Sequence, residues 1–104
     1  MISSLAGQNP VAGMSAYCAS KAALDHLAAC LMLEVRYRGV KVTTIAPGSV
    51  ATGFPAAAGL PSTADAATKL LAEDLATTLL ALLRTRDDAH LSRVELRPLR
   101  PQKR

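Results

Sequence analysis

Ser15–Gly48 reads SAYCASKAALDHLAACLMLEVRYRGVKVTTIAPG, and the order of its parts decides the fold. Up to Arg38 it is Ala-rich and free of Gly and Pro, which predicts a helix over Ser15–Arg38. Gly39 follows where a helix commonly closes on a left-handed residue. Leu24, Leu27, Leu31 and Val35 make an apolar stripe at helical spacing. Ala22, Ala28 and Met32 extend the apolar character round much of the circumference, so burial on two sides is expected. Val40–Ala46 is β-branched and apolar at successive positions, the composition of a buried strand in a parallel sheet, and Pro47-Gly48 ends it.

Working outward, Met1–Ser3 reads as the last stub of a strand, followed by a loop containing Gly, Asn and Pro through Gly13. Downstream, residues 52–61 have an Ala, Gly and Pro composition typical of a mobile loop. A second helix is expected over Thr63–Arg84, with a break near Ala72 and with Leu75, Leu79, Leu82 and Leu83 on its apolar side. Ser92–Leu96 reads as a final short strand, and residues 98–104 as a basic tail. Strand, helix, strand, helix, strand is the α/β order. All 104 residues are read as one partial domain.

Half of the residues are hydrophobic, but there are only two Tyr, one Phe and no Trp, so the core must be filled by Ala, Leu and Val. The net charge of +4 comes from twelve Lys and Arg against eight acids. Arg93, Arg97, Arg100, Lys103 and Arg104 crowd the C-terminal end without interleaved aromatics, which speaks for a solvated tail and against nucleic-acid binding. Cys18 and Cys30 lie twelve positions apart on the predicted helix, roughly 18 Å by helical rise and too far to bridge. Both are expected to be small buried residues. Free thiols, no secretory signal and no run long enough for a membrane span point to a cytoplasmic protein. His26 and His90 have no spaced partner, so no metal site is expected. Asp25, Glu34 and Glu73-Asp74 read as helix-surface charges.

Tyr17 and Lys21 lie one helical turn apart on a common face. Alone, such a pair is an ordinary surface pair. Its company is not ordinary: Ser4 stands at the mouth of the first strand, and Pro47-Gly48-Ser49-Val50-Ala51-Thr52 leaves the next. Ile2-Ser3-Ser4-Leu5-Ala6-Gly7, Tyr17-Cys18-Ala19-Ser20-Lys21-Ala22-Ala23-Leu24, Gly39-Val40-Lys41-Val42 and Ile45-Ala46-Pro47-Gly48 with Thr52 occur in the order and spacing of one family. Over Ile2–Phe54 the chain resembles the classical short-chain dehydrogenases/reductases, and Val94-Glu95-Leu96-Arg97-Pro98 matches loosely.

The resemblance implies the C-terminal part of a Rossmann-like, doubly wound parallel sheet lacking the N-terminal dinucleotide-binding strands. It implies an NAD- or NADP-dependent oxidoreductase that interconverts a small-molecule carbonyl and a secondary alcohol. Hydride transfer to a carbonyl leaves an alkoxide, so such a site needs a proton donor and a hydrogen bond where charge develops. Tyr17 would give the proton in reduction and take it in oxidation. An unperturbed phenol titrates near pH ~10, and the Lys21 ammonium would supply the neighbouring charge it needs. Also by resemblance, Ser4 would polarise the carbonyl, and Lys21 would hydrogen-bond the nicotinamide ribose. Pro47, Gly48, Val50 and Thr52 would meet the nicotinamide, whereas Ser3 packs or caps.

The Gly-rich turn that receives a pyrophosphate in dinucleotide-binding folds is absent from this sequence. The isolated chain is therefore expected to expose its apolar helix, to associate, and to turn over nothing by itself. Homo-oligomerisation is implied for the full-length parent. The alternative is a non-catalytic truncated module that associates with a full-length relative through its helical interface.

Overall fold

The computed structural model describes residues 1–59 and 66–101. Its longest element is helix α1, Ser15–Val35. It passes into a 3-10 turn at Arg36–Arg38, and Gly39 follows at φ 75°, the left-handed closure that its position predicts. Strand β1 is Thr44–Pro47, helix α2 Phe54–Ala57, helix α3 Ala72–Leu83 and strand β2 Arg93–Leu96. Among the described residues no helix is long and apolar enough to cross a membrane.

β1 and β2 run parallel, with Thr44 opposite Arg93 and Pro47 opposite Leu96. On the other side of β1 the N-terminal stub pairs through Ile2 with Ile45, also in parallel. The Ser3 amide donates to the Ile45 carbonyl at 2.7 Å, and the Ile45 amide donates to the Met1 carbonyl at 2.9 Å. β1 is thus the middle of three parallel segments, and all four of its residues are buried. Parallel neighbours need crossover connections. α1 makes the first and α3 lies in the second.

The core is small. Ala28 of α1 sits with Val42, Ile45, Ala46 and the polar Ser3 and Thr44, and Ile45 is the largest fully buried side chain. The Leu5–Gly7 turn presses on α1 at a point where a side chain would not fit: a Cβ on Gly7 would lie 2.7 Å from Asp25 Oδ2 and 3.1 Å from the Lys21 carbonyl. That close approach fixes the first turns of α1 against the end of the stub.

Several expectations are corrected. β1 begins at Thr44, not Val40: its ladder with β2 opens with Thr44 opposite Arg93, and residues 40–43 lie ahead of it. The second helix begins at Ala72. Ala66–Thr68 is a 3-10 turn, and Leu70 bridges in parallel to Val50, a pairing that pulls this segment out of the helix. The predicted start at Thr63 lies outside the described residues. α1 is buried on one side only: Leu27 and Leu33 are exposed, and the inward stripe runs through Ala28. On α3, Leu79 and Leu83 face solvent while Leu75 and Leu82 turn inward. Cys30 is exposed and Cys18 half-buried, both as free thiols.

Candidate active site

Strand alternation separates the two serines at the end of the stub. Ser3 is buried, 3% exposed, and its hydroxyl donates to the Lys21 carbonyl at 3.5 Å. Ser4 begins the Leu5–Gly7 turn with an extended backbone, and its Oγ accepts from the Ala6 amide at 3.2 Å. Ser3 is thus turned to the helix backbone while Ser4 stands in the following turn, and both border the cleft.

Tyr17 and Lys21 lie on the inward stripe of α1, both half-buried. The Lys21 ammonium stands 5.7 Å from the centre of the Tyr17 ring and donates to the Ile2 carbonyl at 3.2 Å. The same backbone that pairs with β1 thus also orients the ammonium.

Ser4, Tyr17 and Lys21 line a cavity of about 850 Å³. Pro47, Gly48, Val50 and Thr52 line it too, so all seven residues singled out by the sequence border one space. Pro47 ends β1. The Gly48 amide donates to the Leu96 carbonyl at 2.8 Å, and a Cβ there would meet Pro98 Cδ at 3.1 Å and Leu5 Cδ1 at 3.4 Å. Packing alone thus accounts for a glycine at this position. Val50 is held by the bridge to Leu70, and its carbonyl accepts from the Thr52 amide at 2.9 Å. Thr52 Oγ1 accepts from the Phe54 amide at 3.4 Å, starting α2.

The cleft also has walls the sequence reading did not assign. Phe54 stands with its ring centre 6.1 Å from that of Tyr17, tilted by 47°. Met14, Leu75 and Arg97 line the same space. Phe54 carried one usable signal, as the sole Phe in a chain poor in aromatics. Arg97 carried none, since it falls among the basic residues of the C-terminal end. Its guanidinium meets Glu95 at 2.9 Å. That hydrogen bond is the main reason the Glu95 carboxyl titrates below the ordinary glutamate value of 4.5; partial desolvation opposes it and the charges of Arg97 and Arg93 reinforce it.

Asp25 and Arg93 are not the solvated charges expected. Arg93 Nη1 lies 3.0 Å from Asp25 Oδ2, with side chains 24% and 13% exposed respectively. This is ion-pair distance without hydrogen-bonding alignment, since both Asp25 oxygens and Arg93 Nη2 are buried with no hydrogen-bond partner. The pair ties α1 to β2. His90 Nε2 lies 2.7 Å from the Val42 carbonyl, while His26 is exposed.

Comparison with known proteins agrees with this architecture. Residues 1–60 match the family model described as short chain dehydrogenase. A 2,5-dichloro-2,5-cyclohexadiene-1,4-diol dehydrogenase, LinX, of Sphingobium indicum is 47% identical over 60 residues, 58% of this chain and 23% of the relative. The solved short-chain dehydrogenase/reductase of Vibrio parahaemolyticus superposes with a TM-score of 0.73 at 28% identity, over 94% of this chain and 43% of that one. An alcohol dehydrogenase of Thermococcus sibiricus, complexed with 5-hydroxy-NADP, gives 0.81 at 19% identity over 99% and 42%, a likeness of fold alone. The chain thus spans about a quarter of the curated relative and less than half of each solved structure. Three parallel segments with helical crossovers, matched to the family model over more than half of the sequence, place the chain in the short-chain dehydrogenase family, with a Rossmann-like α/β fold.

Proposed function

We propose that this chain carries the carbonyl-chemistry side of an NAD- or NADP-dependent oxidoreductase that interconverts a carbonyl and a secondary alcohol. One observation carries the reading: Ser4, Tyr17 and Lys21 border a single cavity, with the Lys21 ammonium 5.7 Å from the Tyr17 ring. In reduction the Tyr17 hydroxyl gives its proton to the oxygen of the substrate as negative charge gathers there. The Ser4 hydroxyl donates a hydrogen bond to that oxygen. The Lys21 ammonium, oriented by the Ile2 carbonyl, favours the phenolate left behind. In oxidation the phenolate takes the proton back.

The polar groups present fit a nicotinamide nucleoside: an ammonium from Lys21 for ribose hydroxyls, the Thr52 hydroxyl and the backbone at Val50, with Pro47 and Gly48 bordering the same space of about 850 Å³. When bound, that group supplies or accepts the hydride. The residues of this chain hold it, orient the carbonyl and manage the proton. NAD and NADP are distinguished at the far ribose, away from these residues.

The test is a graft. Residues 1–60, the stretch that matches the family model, replace the equivalent segment of the Sphingobium indicum dehydrogenase, which is 47% identical over 60 residues. The graft is expected to retain nicotinamide-dependent turnover, and Tyr17→Phe in it to lower kcat by about 10²- to 10⁴-fold. A folded, active graft indifferent to Tyr17→Phe overturns the assignment.

A second reading, a non-catalytic module that pairs with a full-length relative, is favoured by one feature. Leu27 and Leu33 of α1 are 58% and 56% exposed on an Ala-rich surface.

A further inference from the structure

Besides Ser4, Tyr17 and Lys21, the cleft carries the polar side chains of Asn9, Ser49, Thr52 and Arg97, and most of its remaining lining is apolar. Ser4, Tyr17 and Lys21 come from the end of the stub and the first two turns of α1. Val11 and Met14, from the turn leading into α1, Phe54 of α2 and Leu75 of α3 supply hydrocarbon and aromatic surface. Phe54 is 53% exposed, so its ring is not core. It presents a face at the opening, beside the Tyr17 ring at 6.1 Å.

Among the described residues the charged side chains of this lining are Lys21 and Arg97, with no carboxylate beside them. Both cations are already engaged: Lys21 by the Ile2 carbonyl and the Tyr17 ring, Arg97 by Glu95. A cationic compound would find no carboxylate among the described lining residues. A small anion would compete with Glu95 for Arg97 and, at Lys21, with the ribose hydroxyls that the reading above gives to that ammonium. An uncharged compound with a flat apolar skeleton would lose nothing and would cover the Phe54 ring.

We infer that Phe54 is a specificity-determining residue, and that the cleft takes an uncharged ring ketone, aromatic or alicyclic, or the matching secondary alcohol. The ring lies against Phe54 and the oxygen is directed to Tyr17 and Ser4. The inference rests on the role proposed above for Tyr17.

Equilibrium dialysis of the 104-residue chain against acetophenone and against pyruvate tests it, because dialysis measures bound ligand whatever the state of assembly. Acetophenone is expected to be retained at least about tenfold more strongly than pyruvate. Phe54→Ala weakens its retention by roughly 3- to 10-fold, and Phe54→Leu by less. Phe54 is exposed, so both variants keep the wild-type far-ultraviolet dichroism. Equal retention of the two compounds, or acetophenone retention indifferent to Phe54→Ala, overturns the inference. A graft dependent on Tyr17 together with dialysis indifferent to Phe54 sinks the substrate class alone. A graft indifferent to Tyr17→Phe, with dialysis that follows Phe54, sinks the proton-transfer role and leaves the ring pocket standing.

Discussion

Gly7 shows how a residue without a side chain can set the position of one that has chemistry. A Cβ built on it would lie 2.7 Å from the Asp25 carboxylate, closer than side chains approach, and 3.1 Å from the Lys21 backbone, a tight contact. Asp25 could swing aside, but the Lys21 carbonyl is fixed in the helix and held by Ser3. Gly7→Ala is therefore expected to destabilise the chain by about 1–3 kcal/mol, measured by urea unfolding. An unchanged midpoint would mean that the Leu5–Gly7 turn is free to lift off the helix. The sequence shows Gly7 closing the Ile2–Gly7 motif; the contact that favours a glycine there is made with Lys21 and Asp25 of the next element, α1.

At the level of elements, the ends of α1 and the existence of both strands were readable, and the facing of the helices was not. The glycine cap after Arg38 is a local signal, as is the breaker pair after β1. Facing is different: with Ala and Leu nearly all round α1, positions 27 and 28 are equivalent in pattern, and only the small space above β1 selects Ala28. α3 begins at Ala72, where a break is expected, and just ahead of it the bridge between Val50 and Leu70 is a long-range pairing that outweighs helical propensity. That Ser4, Tyr17 and Lys21 would border one space was legible, because a hydroxyl, a phenol and an ammonium at fixed spacing form a pattern that does not depend on which face is buried. The Asp25–Arg93 pair was illegible, its members lying at distant ends of the sequence. Asp25→Asn or Arg93→Met is expected to cost about 1–3 kcal/mol, below the range of a fully buried pair because both side chains keep some exposure. Replacing both by Leu should cost less than the sum of the two single changes to Leu, as a double-mutant cycle in urea would read. Additive losses would show that the pair does not couple α1 to β2.

The whole molecule is open for its mass. Its accessible surface is 7260 Å² and its radius of gyration 14.8 Å. A compact monomer of 10.9 kDa would expose about 5,600 Å² and have a radius near ~13 Å. Exposed Leu27, Leu33, Leu80 and Leu83 account for part of the excess, and they are apolar. Sedimentation velocity is expected to show association that grows with concentration, and Leu27→Lys with Leu33→Glu to move the chain toward monomer. A wild-type chain that sediments as a monomer at every concentration would remove the support for the pairing module.

The inward stripe of α1 holds Tyr17 and Lys21 in its first two turns and Ala28 further along, on a single line down the helix. Folding and chemistry therefore share one rotational setting: a twist of this rod large enough to lift Ala28 from its seat also swings the phenol and the ammonium out of the cleft. Selection for sturdiness at the lower end would act, unasked, as selection for alignment at the upper end.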